Sequence, residues 1–199
     1  MLSLPLHIRH TLGPFIVLVL AVVLFMTEPL SSQWLAFDRT QLNHGQWWRL
    51  LTANLLHTNL NHLLLNTLGV VLLWALHGQY YRTVHYLLLV FLMCLSSTLG
   101  LYYFAPAMQW YVGLSGALHG IFMVGAYFDI RHGLKSGWLL LLGVVLKVVH
   151  EQWSGASQQM AELIGAKVAI DAHLMGTIAG LIGIASYRCF SYISQKVLR

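Results

Sequence analysis

Six apolar stretches follow one another along the chain with little polar sequence between them, roughly over 12–32, 57–77, 84–104, 113–129, 136–150 and 168–188. Crossing hydrocarbon takes about 20 residues of helix. Nothing limits the fold more, because a segment in lipid must satisfy every backbone N–H and C=O internally, and only helices and closed barrels do so. Composition agrees: 58% of residues are hydrophobic and 9% charged, against about 25% charged in a soluble domain. The expected architecture is an all-α membrane protein, a compact bundle of six transmembrane helices, multi-pass in the lipid bilayer. No linker or low-complexity stretch divides it, so a single domain is expected over 1–199. The fourth and fifth stretches are short, which suits helices enclosed by neighbours or flanked by interfacial Trp and Tyr. The run "GPFIVLVLAVVLFM" has no small-x-small cleavage site after it and is read as a retained first span.

The few charges orient the bundle. Alternate connecting segments collect Arg9, Arg82, Arg131, Lys135, Arg188, Lys196 and Arg199 on one side, with Asp129 as the only acid. The other side holds Arg39, Arg49, Lys147 and Lys167 with Glu28, Asp38, Glu151, Glu162 and Asp171. The first side is then cytoplasmic by the positive-inside rule, with both termini inside. No basic patch interleaves with aromatics, which argues against nucleic acid as a partner. Cys94 and Cys189 fall in apolar runs and read as packing residues. No CxxC or Cys/His spacing calls for a metal, and no cofactor is expected.

With that orientation, the second, fourth and sixth spans all start outside. His62 and Asn66 lie early in the second, Ser115 at the start of the fourth, and His173 early in the sixth. Four polar residues from three helices therefore converge at one depth. At 100° per residue, Ser115 and His119 are about 40° apart on the fourth span, and Gly116 and Gly120 extend that arc to about 140°. His173, Gly176, Thr177 and Gly180 occupy about 100° of the sixth. Small-xxx-small faces let helices approach closely, and their meeting would bring His173 to Ser115. A serine beside a neutral histidine is the minimal activated nucleophile. Free N–H groups at the start of the fourth span, around Leu114 and Ser115, favour an anion there. His62 and Asn66, one turn apart, can add donors to a developing oxyanion. Asp171 sits two residues from His173 and cannot face it, so a Ser–His dyad without a third acid is expected. The polar run "HTNLNH", with His57, Thr58, Asn59 and Asn61, reads as the rim of a hydrated cavity.

Each histidine alone is an ordinary interhelical hydrogen-bonding residue. His77, His85, His132 and His150 lie near span ends and read as interfacial; His7, His10 and His44 read as loop or tail residues. The shared depth of the four polar residues is what points to a site. Two other readings stay open: a haem or metal site built from His62, His119 and His173, and a non-catalytic protein that binds transmembrane helices.

In four places the chain resembles the rhomboid intramembrane serine proteases. "WWRLLTANLLH" resembles the Trp-Arg segment of their first extracytoplasmic loop, matching at Trp48 and Arg49. "HTNLNHLLLN" resembles the second-helix pattern at His57, His62 and Asn66. "GLSG", with Gly113 and Gly116 around Ser115, resembles the nucleophile motif. "AHLMGTIAG" resembles the motif of the base, His173, with Gly176 and Gly180 as the close contact to the fourth helix. The resemblance implies a Ser115 nucleophile, a His173 base and cleavage of single-span membrane proteins near the extracytoplasmic end of their helix. His119 stands where many rhomboids carry a tyrosine stacked on the base, and the first loop is short. His119 and the compact chain resemble the rhombosortase subgroup. That likeness implies a bacterial cytoplasmic-membrane enzyme, and substrates with a C-terminal Gly-Gly motif, a transmembrane helix and a basic tail.

Overall fold

Helix α1 (Ile8–Met26) begins before the expected position 12 and stops short of 32. Its start is set by His7, whose ring accepts from the Arg9 N–H at 3.2 Å. Its end is set by Thr27, whose backbone N–H and hydroxyl both turn back onto the Leu24 carbonyl. His10 and Arg9, expected in a tail, are thus helical. The computed structural model describes residues 4–197, with side chains to Ser191; Arg199 and the side chain of Lys196, two cations of the orientation argument, lie outside the described residues.

Residues 27–59, which take in the expected end of the first span, the short loop and the expected start of the second span, fold into a layer of their own. It holds α2 (Leu30–Leu35), the short strand β1 (Phe37–Asp38), α3 (Arg39–Asn43), α4 (Arg49–Thr52) and a 3₁₀ turn at Ala53–Leu55. Two arginines fasten it through backbone carbonyls rather than through acids. Arg39 donates to the carbonyls of Leu101, Tyr102, Ala105 and Met108 at 2.9–3.0 Å, at and just beyond the C-terminal end of α6 (Thr83–Phe104). Arg49, buried, donates to Gln33 and Ala36 carbonyls, both at 2.8 Å. Strand β1 pairs antiparallel with β2 (Trp110–Tyr111), Phe37 opposite Tyr111. This two-residue ladder is the departure from an all-helical chain among the described residues.

Helix α5 (Leu60–His77) starts after the expected 57, because Asn59 is its N-cap and accepts from the His62 N–H at 2.9 Å. The remaining long helices are α7 (Ser115–Arg131), α8 (Ser136–Ser154) and α10 (Ile170–Val197), with the short α9 (Gln158–Ile164) before the last. Among the described residues, four segments are long and apolar enough to cross a membrane: Ile8–Met26, Leu60–Tyr80, Thr83–Phe104 and Ile170–Ser191. The architecture is that of an all-α membrane protein.

Helix α7 is the hub. It packs along α10 and also against α5, α6 and α8, while α1 closes the far side against α5 and α6. Its contact with α10 depends on glycines. A Cβ on Gly120 would stand 2.7 Å from the Gly176 carbonyl, and one on Gly180 would stand 2.8 Å from the Gly120 carbonyl. Gly176 meets the Gly116 backbone even more closely. Neither distance leaves room for a methyl group, so the backbones touch directly.

Three residues sit otherwise than their sequence positions imply. His77, expected at an interface, is 0% exposed. Its Nε2 lies 3.2 Å from Asp129 Oδ2, while the Tyr80 hydroxyl donates to Asp129 Oδ1 at 2.7 Å. Asp129 is therefore not a solvated loop acid but a buried partner. His85, His132 and His150 are exposed. Cys94 is buried, whereas Cys189 is exposed rather than packed.

Candidate active site

Ser115 is the first residue of α7, and the chain reaches it through a turn that only glycine serves well. Gly113 has φ +125°, and a Cβ there would stand 2.7 Å from His62 Nε2. Its N–H donates to the Ala53 carbonyl at 3.1 Å and its carbonyl accepts from the Tyr111 hydroxyl. The outer layer thus fixes the approach to α7. Leu114 is the N-cap residue, buried, with no side-chain cap on the helix start. The first amides of α7 have no carbonyl partner within the helix.

The contact of α7 with α10 places Ser115 Oγ 2.9 Å from His173 Nε2. His173 is 6% exposed. Its other ring nitrogen, Nδ1, lies 2.9 Å from Glu151 Oε2. A carboxylate on the histidine departs from the expectation that no acid would face it. Glu151 belongs to α8 rather than to a connecting loop, because α8 continues through Ser154. One turn earlier on the same helix, Lys147 Nζ donates to Glu151 Oε1 at 2.7 Å and to His119 Nε2 at 3.0 Å. His119 Nδ1 in turn donates to the Ser115 carbonyl at 2.7 Å, and its ring stacks on His173 with centroids 4.3 Å apart and planes at 21°. Five residues therefore close a ring of hydrogen bonds: Ser115, His173, Glu151, Lys147, His119 and back to Ser115.

His62 and Asn66 face this ring from α5. His62 Nδ1 lies against Thr58, 3.4 Å from its backbone N–H and 3.1 Å from its hydroxyl, and its Nε2 lies toward Gly113. Asn66 donates to the His62 carbonyl at 3.2 Å, leaving its second N–H free of that bond. His57 is 2% exposed and does not rim a cavity; its ring stands edge-on to His62 at 5.1 Å. Burial, with the neighbouring His62, pushes the His57 imidazole down to about 3. The other polar residues of "HTNLNH" tie α5 to the end of α9: Thr58 donates to the Ile164 carbonyl, and Asn59 and Asn61 both to that of Leu163 at 3.1 Å. Those carbonyls end a helix and need donors. Trp48 and Arg49 stand apart from the ring. Trp48 Nε1 donates to the Trp34 carbonyl at 3.1 Å, and Arg49 holds the outer layer as described.

Two cavities meet at Ser115 and His62. One, of about 460 Å³, runs beside α5 past Leu65, Leu72 and Leu76 to Phe122, with His119, Lys147, Glu151 and His173 at its polar end. The other, of about 380 Å³, opens past Trp110, Lys167 and Asp171. The ring thus has an apolar approach on one side and a mixed one on the other.

The three histidines of the metal or haem reading are not brought together as ligands. Ligand atoms of His119, Glu151 and His173 lie within 4.8 Å of one another, a set that lacks His62. The two imidazoles in it are stacked, so their in-plane lone pairs run side by side rather than converge, and the Lys147 ammonium already sits against Glu151 and His119. That geometry suits a hydrogen-bonded cation, not a metal ion.

Sequence reasoning missed Lys147 and Glu151. The signal was present: two charges one turn apart in the otherwise apolar "LLLLGVVLKVVHEQW". Charges inside such a helix face a partner or a cavity.

The Rhomboid domain family matches residues 44–188. The chain belongs to the rhomboid family. Among curated relatives, it is 33% identical over 81 residues to the putative rhomboid protease YdcA of Bacillus subtilis, 41% of this chain and 41% of that protein. It is 26% identical over 114 residues to the rhomboid protease GluP of the same organism, 57% of this chain and 22% of that one. The matches span less than half the length of either relative. All four quoted motifs of this rhomboid, from Trp48 to Gly180, fall inside the matched family region.

Proposed function

We propose that this rhomboid is an intramembrane serine endopeptidase, with Ser115 as nucleophile and His173 as general base. The observation that carries the reading is the 2.9 Å hydrogen bond from Ser115 Oγ to His173 Nε2. As Ser115 Oγ attacks a peptide carbonyl carbon, its proton passes to His173 Nε2. The carbonyl oxygen takes up negative charge beside the amides at Leu114 and Ser115, the His62 ring and the free Asn66 N–H. His173 returns the proton to the leaving amine, and an acyl ester remains on Ser115. Water, deprotonated by His173, then releases the acid; an amine acceptor in its place would give transfer. His119 supports the base rather than replacing it, since its Nε2 accepts from Lys147 and its Nδ1 donates to the Ser115 carbonyl.

The same reading takes α1, α5, α6, α7, α8 and α10 as six spans of one domain, with both ends of the chain in the cytoplasm of a bacterium and Ser115 toward the outer face. Substrates are single-span membrane proteins cut near the extracytoplasmic end of their helix. The rhombosortase likeness at His119 favours those with a C-terminal Gly-Gly signal, helix and basic tail. The basic tail would stay inside, as the positive-inside rule requires.

The test is cleavage of a Gly-Gly-tailed single-span reporter in membranes, read by mass spectrometry of its new C-terminus. Wild type should cut it, and Ser115→Ala and His173→Ala should each lose the activity by about 10³-fold or more. Undiminished cleavage by Ser115→Ala overturns the proposal.

A further inference from the structure

We infer that Glu151 is a positioning residue that makes His173 a base, completing a Ser115–His173–Glu151 constellation, and that Lys147 holds Glu151 in place. The inference rests on the reading of Ser115 and His173 given above and extends it to two residues of α8.

A neutral imidazole carries one hydrogen, on either nitrogen. His173 can take the Ser115 proton on Nε2 only if that nitrogen is bare, so the hydrogen must sit on Nδ1. An acceptor at Nδ1 selects that tautomer. Glu151 Oε2 is 2.9 Å from Nδ1, and as a carboxylate it can only accept. It also stands beside the ring when His173 becomes an imidazolium, so the positive charge formed during attack meets a negative one already in place. His173 is buried and the Glu151 side chain is 15% exposed, so water screens this contact little.

The remaining bonds keep Glu151 where it is. Lys147, four residues earlier on α8, takes the second carboxylate oxygen at 2.7 Å. Its other bond goes to His119 Nε2, which obliges His119 to carry its hydrogen on Nδ1 and to donate it to the Ser115 carbonyl. Every hydrogen in the ring then has one assignment, and all of them leave His173 Nε2 free to accept from Ser115. An i, i+4 Lys–Glu pair on a helix is ordinarily a weak surface pair. This one differs in its context. It is set into an apolar helix, and each partner also bonds an imidazole of the site.

The experiment uses the full chain in detergent and a fluorophosphonate probe, which reads serine activation without knowledge of the substrate. Ser115 Oγ would bond to phosphorus, fluoride would leave, and the hydroxyl proton would pass to His173. Labelling rates measured against probe concentration separate the maximal rate from the half-saturating concentration. In Glu151→Gln the maximal rate should fall by about 10²-fold or more, with the half-saturating concentration within about twofold of wild type. Glu151→Asp should recover at least about tenfold of that loss, because it restores a carboxylate acceptor. Lys147→Met should lower the maximal rate by about three- to tenfold, since Glu151 keeps its bond to His173 but loses its anchor. Melting midpoints of the three variants show whether they are folded.

Wild-type maximal rates in Glu151→Gln overturn the inference. So do equal losses in Glu151→Gln and Glu151→Asp that track a lowered melting midpoint, since a merely structural role would produce that. If Glu151→Gln does not fold, Lys147→Met labelled at the full wild-type rate overturns the anchoring scheme. A wild type that is not labelled, or Ser115→Ala labelled as wild type, sinks the assignment of Ser115 and the inference with it. That result is distinguishable because it does not involve α8.

Discussion

Among the described residues two histidine–carboxylate pairs flank α7, one at each end, and they are built for different ends. Near its start, His173 bonds Glu151 at 2.9 Å; near its finish, His77 faces Asp129 at 3.2 Å. In the first, the free imidazole nitrogen points at a serine hydroxyl where two cavities meet. In the second, the ring is pressed against the Gly125 backbone, and the remaining Asp129 oxygen is taken by the Tyr80 hydroxyl. His77 and Asp129 line neither of those cavities. A buried imidazole–carboxylate contact is therefore not itself a sign of chemistry. What separates the two is a nucleophile on the other nitrogen and a route by which something can reach it.

That contrast breaks most sharply by removing each imidazole in turn. His173→Ala should lose about 10³-fold or more in cleavage while its melting midpoint stays near wild type. His77→Ala should do the reverse, because it strands Asp129 among buried groups: stability falls by about 3 kcal/mol, and turnover per folded molecule stays within about twofold of wild type. Thermal unfolding followed alongside reporter cleavage checks both, and a His77→Ala protein that is stable but inactive would erase the distinction. A second, smaller effect concerns what surrounds the reactive pair and has no counterpart at the other end. Replacing His62 and Asn66 together by alanine should cost about 10²-fold in kcat with little change in KM, since their donors matter only once the oxyanion forms. Wild-type kcat in the double variant would remove them from the site.

The smallest expected effect is at His57, a buried histidine with neither role. Its folded-state value, near 3, lies below the ordinary 6.5 of the unfolded chain. Above about pH 6.5 the group is neutral in both states; as the pH falls toward 3, only the unfolded chain gains its proton, so stability is lost. The melting midpoint should fall between pH 7 and pH 5, and His57→Asn should make that fall shallower. An identical slope in the variant would show that His57 contributes nothing to it.

Much of this arrangement is legible in the chain because it is periodic or local. Glycines at 116, 120, 176 and 180 announce helix faces able to touch, and α7 and α10 do touch there. Asn59 carries the signature of an N-cap, although the start of α5 was placed at 57 on hydropathy alone. The charge count along connecting segments could not reveal Glu151, because it treats any acid near the end of an apolar run as solvated. The direction in which α8 turns that acid depends on packing against α7 and α10. The same holds for Asp129 and His77: they lie 52 residues apart, and neither shows by itself that the other is near. The layer over residues 27–59 has no signature in hydropathy, because it is held by arginines bonded to carbonyls of distant segments, a contact with no periodic trace.

Phe37 and Tyr111 are ladder partners, and Tyr111 lies only a few residues before Ser115. The aim of the hydroxyl is thus inherited from a lid-like sheet of backbone that supplies no reactive group. Changes at Phe37 or its neighbours would be felt as misdirection of the serine, although none of them belongs to the hydrogen-bonded ring.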